Sequence, residues 1–359
     1  MGRQSAGNNV TLTLYPSNFS RTGYGFAGWS DKYDYATNPN AHFYGPNEDF
    51  TTPFNFTRKG LSLYAVWIKS EGSLQDSAKV TSLCGTNGVG GSLTTAPTDG
   101  TANLSSVSAL TDQRDNQTYA IARLADGKCW MIENFRLEST ASHNSDGTLA
   151  QGYNSNFVGL ADPESSDFSS DDTTANSLYS IDGSTIKTIS GYDLGSRFPR
   201  YNNFNTQQRA ENTSNTNVNT YSYGNYYTWH AAIADTNRYY SGDYGVTSIC
   251  PFGWRLPEGN TTSAGFGKLD IDLGGTGASQ STVEASNRWR KYPNNFLFSG
   301  HFPINSASSR GDIGYYYSST ANRYTLAYSL GLRASGMIVP GSLQADNSYG
   351  LSIRCTIDT

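Results

Sequence analysis

Residues 310–355, RGDIGYYYSSTANRYTLAYSLGLRASGMIVPGSLQADNSYGLSIRC, constrain the fold more than any other stretch. Three pieces, 315–319, 327–332 and 350–355, alternate apolar and polar residues. A period of two marks half-buried β-strands, whose successive side chains point to opposite faces. Little of the chain shows the 3.6-residue period of an amphipathic helix, so the expected fold is mostly β with few helices. The segments between the strands, at 323–325, 333–335 and 341–345, mix chemistries without a rule, and no Lys, Glu or Trp occurs between Asp312 and Cys355. A regular frame with irregular loops describes a binding face on a rigid scaffold. It equally describes loops that nothing constrains, and both readings stand at this point.

Charged residues make up only 15% of the chain, against an ordinary figure of about 25%. Gly, Ser, Thr, Asn and Tyr take their place, and the 25 tyrosines can supply rigid contact area at low entropic cost. A net charge of −5 gives no electrostatic reason to expect nucleic acid or an anionic membrane as partner. No apolar run reaches the roughly 18 residues of a membrane span. The opening MGRQSAGNN is polar and is no signal peptide. The four cysteines, Cys84, Cys129, Cys250 and Cys355, contain no Cys-x-x-Cys and no zinc spacing. Their even number in a lysine-poor chain points to disulfides and an oxidising compartment. Three pairings are open, and spacing does not choose among them.

At 359 residues the length suggests about two domains. Residues 10–15 (VTLTLY), 21–30 (RTGYGFAGWS) and 61–67 (LSLYAVW) read as strands of a small β unit. Phe19, Arg21, Gly23, Tyr24, Phe26, Gly28, Trp29, Leu63, Tyr64, Ala65 and Trp67 form the pattern F-x-R-x-G-Y-x-F-x-G-W … L-Y-A-x-W. That pattern resembles the Listeria–Bacteroides repeat, also called the internalin B-repeat, a β-grasp-like spacer of bacterial surface proteins. The resemblance implies a stalk over residues 1–67, with Trp29 and Trp67 in its core. Residues 68–83 begin polar (IKSEGSLQDSAK) and read as a linker with few contacts on either side.

From residue 110 the character changes. LTDQRDNQTYAIARLADGKCWMIENFRL reads as strand, turn, strand, with a hairpin signal at Asp126–Gly127. YGNYYTWHAAIAD, ICPFGWRLP, WRKYPNNFLFSG and the closing GYYYSST … GLSIRC follow in order. Together these resemble the Fibrobacter succinogenes major paralogous domain over residues 84–359. The departures are a polar insertion at 139–217 and Tyr317 where that family usually has Trp. The resemblance implies a C-type-lectin-like, formylglycine-generating-enzyme-like (α+β) fold with a twisted antiparallel core and long loops. Helices are expected at 260–273, capped by Asn260 and stopped by Gly274–Gly275, and at 226–234. Within that frame we expect Cys84–Cys129, which would pin the first strands, and Cys250–Cys355, which would fasten the last strand to the centre.

A catalytic reading finds little support. His230 sits in a segment that packs, and His42, His143 and His301 have no nucleophile motif beside them. G-x-S-x-G, H-E-x-x-H and P-loop patterns are absent. Lectin-like folds often bind calcium, and Asp270 with Asp272, or Asp171 with Asp172, are the candidate acids. Each pair reads more simply as solvated acids or a helix end, so no cofactor or metal ligand is assigned.

The second resemblance also implies a function. Such domains recur as the variable proteins of diversity-generating retroelements, in which template adenines become random bases in the C-terminal coding segment. Randomised Asn codons yield most of the residue types found here, although Met337 and Gln344 are not among them. The expectation is a secreted or cell-surface bacterial binding protein, a monomer without enzymatic activity. Its C-terminal loops (about 315–349) would hold a protein or glycan ligand on another cell or virus. The ligand-binding candidates are Arg323, Tyr324, Tyr328, Arg333, Ser335, Val339, Ser342 and Leu343, all expected to face solvent. Tyr316, Leu330, Leu332, Ile338, Leu351 and Ile353 are expected inside. The alternative is a structural surface-layer or pilus subunit without a diversified site. A leader and an anchor would then lie outside this sequence.

Overall fold

The first two structural layers share backbone contacts so close that one of them admits only glycine. In a computed structural model, residues 11–14, 20–51, 62–84, 107–114, 116–137, 177–179, 185–188, 201–202, 223–224, 226–233, 240–245, 248–301, 309–323, 325–347 and 349–358 are described. In chain order the strands are β1 (Thr11–Thr13), β2 (Tyr24–Ser30), β3 (Phe43–Tyr44), β4 (Asp49–Thr51), β5 (Tyr64–Lys69), β6 (Val107–Thr111), β7 (Thr118–Arg123) and β8 (Cys129–Met131). They continue as β9 (Ser177–Tyr179), β10 (Thr185–Thr188), β11 (Tyr201–Asn202), β12 (Tyr226–Tyr227), β13 (Gln280–Ser281), β14 (Ile313–Arg323), β15 (Leu326–Arg333), β16 (Met337–Asp346) and β17 (Thr356–Ile357). The helices are α1 (Ser77–Cys84), α2 (Trp229–Ala232), α3 (Gly265–Asp272) and α4 (Val283–Arg290). The architecture is mostly antiparallel β, and among the described residues no helix is long and apolar enough to cross a membrane.

Two four-stranded sheets, ordered β17-β8-β7-β6 and β13-β16-β15-β14, make the centre. Strand β7 is buried at all six positions because a core covers each of its faces. Tyr119 and Ile121 join Cys129, Met131, Trp229 and Cys250 on one side; Ala120 and Ala122 join Trp130, Phe266, Trp289 and Phe296 on the other. Such a strand shows no polar alternation. Both expected disulfides, Cys84–Cys129 and Cys250–Cys355, are present. They close loops of 45 and 105 residues. In the chain-entropy account each stabilises by about 4–5 kcal/mol.

The expected separation of residues 1–67 from the rest is corrected by this structure. Strand β2 lies so near β7 that a Cβ on Gly25 would stand 2.4 Å from the Ala120 nitrogen. The buried Glu133 carboxylate accepts from both Phe26 N–H (3.0 Å) and Ala120 N–H (2.6 Å), joining the two strands through one side chain. Phe43 stacks on Tyr292 at 5.3 Å, and Asp49 meets Arg290 at 2.8 Å. Ala27, Phe43 and Val66 belong to the same core as Trp130 and Trp289. Residues 68–83 are no free linker either. Glu71 and Leu74 donate backbone hydrogen bonds to Ala109 and Thr111, and Leu74, Val80 and Leu83 are buried. A polar composition hid one apolar helix face.

Helix boundaries also move. Asn260 takes a left-handed backbone (φ 53°) and gives its N–H to the Gly341 carbonyl, so α3 begins only after Ala264. Tyr226 and Tyr227 pair as β12, which leaves α2 a single turn. Helix α4 was not expected, although Thr282 caps it by accepting from Ala285 N–H at 3.1 Å. Leu351 and Ser352 form single bridges, and residues 353–355 take no strand.

Candidate functional site

The stretch expected to hold irregular loops is a three-stranded meander. Strand β15 pairs with β14 on one side and β16 on the other, and its connections are residues 324–325 and 334–336. Val339, Ser342 and Leu343 therefore sit on β16, not on a loop. Strand periodicity sorts the rest. Tyr328, Leu330 and Leu332 share one face, and the last two enter the core under Phe266 and Trp289. Tyr328 retains only 9% exposure, which corrects its assignment to the surface. Tyr316, Leu330, Leu332, Ile338, Leu351 and Ile353 are all buried, as expected.

The opposite face was expected to be open, and only part of it is. Ser329 is fully buried there, and Tyr317, Ala321, Ala327 and Ala345 pack under the other core. Toward the far end of the strands the cover gives out. Arg333, Val339, Leu343 and Tyr315 are half-buried around Gly331. A Cβ on Gly331 would come within 2.8 Å of the Leu343 side chain and 3.3 Å of the Tyr315 ring, so these two side chains meet over the glycine. Arg333 donates through Nη2 to the Tyr315 hydroxyl at 3.2 Å. The Tyr315 ring lies 5.2 Å from His301, which in turn lies 6.2 Å from Tyr349.

The other candidates are scattered. Arg323 and Ser335 are exposed at opposite ends of β15, roughly 23 Å apart at about 3.3 Å per residue. Ser342 is exposed where β16 slips its register against β15. Tyr324 lies outside the described residues. Most of the 139–217 insertion does too, although β9 and β10 pair within it. Of the eight candidates the fold thus gathers Arg333, Val339 and Leu343. It adds Tyr315, His301 and Tyr349, which sequence reasoning missed. Tyr315 could have been found, since it has the parity of Tyr317 and lies opposite Gly331. His301 and Tyr349 reach the patch by tertiary contact, for which no local signal exists.

Two nitrogens in this patch, Arg333 Nε and His301 Nδ1, are buried without a hydrogen-bond partner among the described residues. Burial, and then the Arg333 charge, hold the His301 imidazole below its ordinary pKa, so it is neutral at neutral pH. The patch therefore offers a guanidinium, a neutral imidazole and the Tyr315 and Tyr349 rings.

The acids considered for calcium are engaged elsewhere. The buried Asp270 carboxylate accepts from Gly277 N–H and Gln280 Nε2 at 2.9 Å, and from the Trp289 indole at 3.0 Å. Asp272 pairs with Lys268. Asp171 and Asp172 lie outside the described residues, and among the described residues no three metal-ligating side chains converge. No family model, curated protein or solved structure matches this chain.

Proposed function

We propose that this chain is a non-catalytic binding protein, secreted or displayed on a bacterial surface, with its ligand held at the open end of the β14–β16 face. One observation carries the reading. Among the described residues, polar nitrogens of Arg333 and His301 sit buried and unpartnered among half-exposed rings, at the edge of two cores. Unsatisfied buried polar atoms are rare in native proteins, and each calls for a partner. The frame beneath is stiff, because the face's far half is core and the Cys250–Cys355 bond fastens the chain end. Disulfides fit an oxidising compartment, which favours an extracellular location.

The finer identity belongs to the same proposal. Residues 84–359 are a C-type-lectin-like domain of the retroelement-diversified kind, and residues 1–67 a B-repeat packed on its flank. The sequence motifs support this. Diversification would act through positions on β15, β16 and the turn between them whose side chains leave the core, Arg333, Ser335, Val339, Ser342 and Leu343 among them. A reverse-transcriptase gene and a near-copy template beside the coding sequence are the expected genomic neighbours; their absence removes diversification and leaves the binding reading intact.

The binding reading is tested with a double variant, Tyr315→Ala with Arg333→Ala. Wild type and variant are applied to a glycan array and to intact bacterial cells of many kinds. Truncating an interface anchor costs about 2 kcal/mol or more, hence at least roughly tenfold in capture. The expected result is loss of capture with cooperative unfolding retained. Undiminished capture by a folded variant moves the site elsewhere.

A further inference from the structure

The chemistry of the patch goes further than the presence of a site. Arg333 presents a planar fork of donors whose natural complement is a carboxylate bound through two oxygens. One Nη2 donor goes to Tyr315, and Nε points at nothing among the described residues. Among the described residues no carboxylate lies within ion-pair distance of Arg333. The nearest acid in the register is Asp312, one residue before the Arg333 partner Ile313 on β14, and it makes no ion pair with it. Residues 302–308, which follow His301, are FPINSAS and hold no acid, nor does Ser348 beside Tyr349.

Among the described residues, single buried nitrogens of Arg136 and Arg288 and two of Arg123 also make no hydrogen bond, and each side chain is placed differently from Arg333. Arg136 places Nη1 on Glu133 at 3.2 Å, and Arg288 approaches Asp270 at 3.9 Å. Arg123 makes no ion pair and lies over no aromatic ring among the described residues. Among the described residues, only at Arg333 does the unpartnered donor coincide with a second unpartnered nitrogen, on His301, and with the Tyr315 and Tyr349 rings.

Resting on the binding reading above, we infer that this patch takes a glycan bearing a carboxylate, a uronic or sialic acid residue, with the acid on Arg333 and the sugar against Tyr315 and Tyr349. The rings decide for sugar over an acidic peptide side chain. A pyranose presents a flat row of C–H groups to an aromatic face and hydroxyls to neighbouring donors and acceptors. His301, neutral, does not compete for the acid. A chain of net charge −5 suits a ligand with isolated carboxylates rather than a densely anionic polymer.

The test uses the full chain and matched oligosaccharide pairs, glucuronate- or sialate-terminated and the same compounds with the carboxyl reduced to alcohol. Affinities are read by titration calorimetry for wild type, Arg333→Gln, Arg333→Lys and Arg123→Gln. Wild type and Arg123→Gln are expected to prefer the acid member at least tenfold. Arg333→Gln should lose that preference while unfolding at an unchanged temperature, and Arg333→Lys should keep a reduced part of it. Equal binding of acid and alcohol by wild type overturns the inference, as does a preference that survives in Arg333→Gln. If Arg333→Gln proves misfolded, Arg333→Lys decides alone, and full retention by that variant also counts against a two-oxygen contact. Should neither sugar bind while an aspartate-rich peptide binds in an Arg333-dependent way, the glycan inference falls and the binding face stands. Failure of the binding reading looks different, since capture in the array and cell assay would then survive Tyr315→Ala with Arg333→Ala.

Discussion

Arg354 and Arg333 lie within twenty-one residues of each other in sequence and in opposite situations. Arg354 is completely buried, yet four of its donors reach oxygen. Nε bonds Asn134 Oδ1 at 2.7 Å, Nη1 bonds the Met131 and Asn294 carbonyls at 3.1 and 3.3 Å, and Nη2 bonds the Asn295 carbonyl. Its guanidinium lies 4.7 Å over the Phe296 ring, and burial lowers its pKa only to about 10, so it stays charged. Arg333 is less buried and worse satisfied. A buried cation with its donors met is a structural post that joins the C-terminal segment to β8 and to residues 294–295. One left short of partners at the rim of a core is, on the reading proposed above, where a ligand would bind. Burial alone does not separate the two; hydrogen-bond satisfaction does.

The largest expected effect tests the structural half of that contrast. Arg354→Leu should destabilise by about 3–5 kcal/mol, because it strands buried oxygens and opens space beside Phe296. Chemical denaturation measures it. A loss below about 1 kcal/mol would mean that water or repacking replaces the guanidinium, and the contrast would fail.

A second pair of neighbours sharpens the same lesson with acids. Burial raises Glu48 to about 7 although Gly45 and Tyr292 N–H groups bond it. Burial also acts on Asp49, but the Arg290 hydrogen bonds and charge outweigh it and leave its pKa lowered. A raised acid favours the folded state while it is protonated. The unfolded chain releases that proton near the ordinary 4.5, and the folded one only near 7. The contribution is thus fully present below about pH 4.5 and lost as pH rises to about 7, a change of about 3 kcal/mol at about 1.4 kcal/mol per unit. Asp49 acts in the other direction, its stability lost as pH falls below the ordinary range. Glu48→Gln should remove the loss between pH 4.5 and 7 in denaturation series, and an unaltered slope there would place that proton elsewhere.

Much of the frame was legible because its signals are local. Period-two runs gave β14 and β15, Asp126–Gly127 gave the β7–β8 turn, and Gly274 marked the end of α3. Core assignments on β15 followed from parity at Leu330 and Leu332. Parity also misled, since it predicts one wet face and β15 has cores on both faces over half its length. Residues 341–345 read as a loop from their mixed chemistry, yet they lie on β16, where Pro340 and Gly341 fall in a register slip rather than a break. The packing of residues 20–51 and 62–69 onto β7 and α4 was illegible for a stronger reason. Gly25 against Ala120 and Asp49 against Arg290 are contacts between elements far apart in sequence, and in the sequence such glycines and acids look like surface. The site suffered likewise, for His301 and Tyr349 join Tyr315 only in three dimensions.

The smallest expected effect concerns the functional half of the contrast. Arg333→Leu removes a guanidinium whose one side-chain bond among the described residues, to the Tyr315 hydroxyl, is part-buried and long at 3.2 Å. A polar bond near water contributes about 0.5–1.5 kcal/mol at most, and the leucine methyls recover part of that against Leu343 and Val339. The Arg333 carbonyl keeps its bond from Ser286 Oγ at 3.0 Å, because a side-chain change does not touch the backbone. Stability should therefore change by less than about 1 kcal/mol in the same denaturation assay that registers Arg354→Leu. Two arginines on one sheet-rich frame, given the same substitution, should then differ several-fold in cost. If Arg333→Leu proves as damaging as Arg354→Leu, Arg333 is a structural post as well, and the unpartnered Nε is no sign of a ligand.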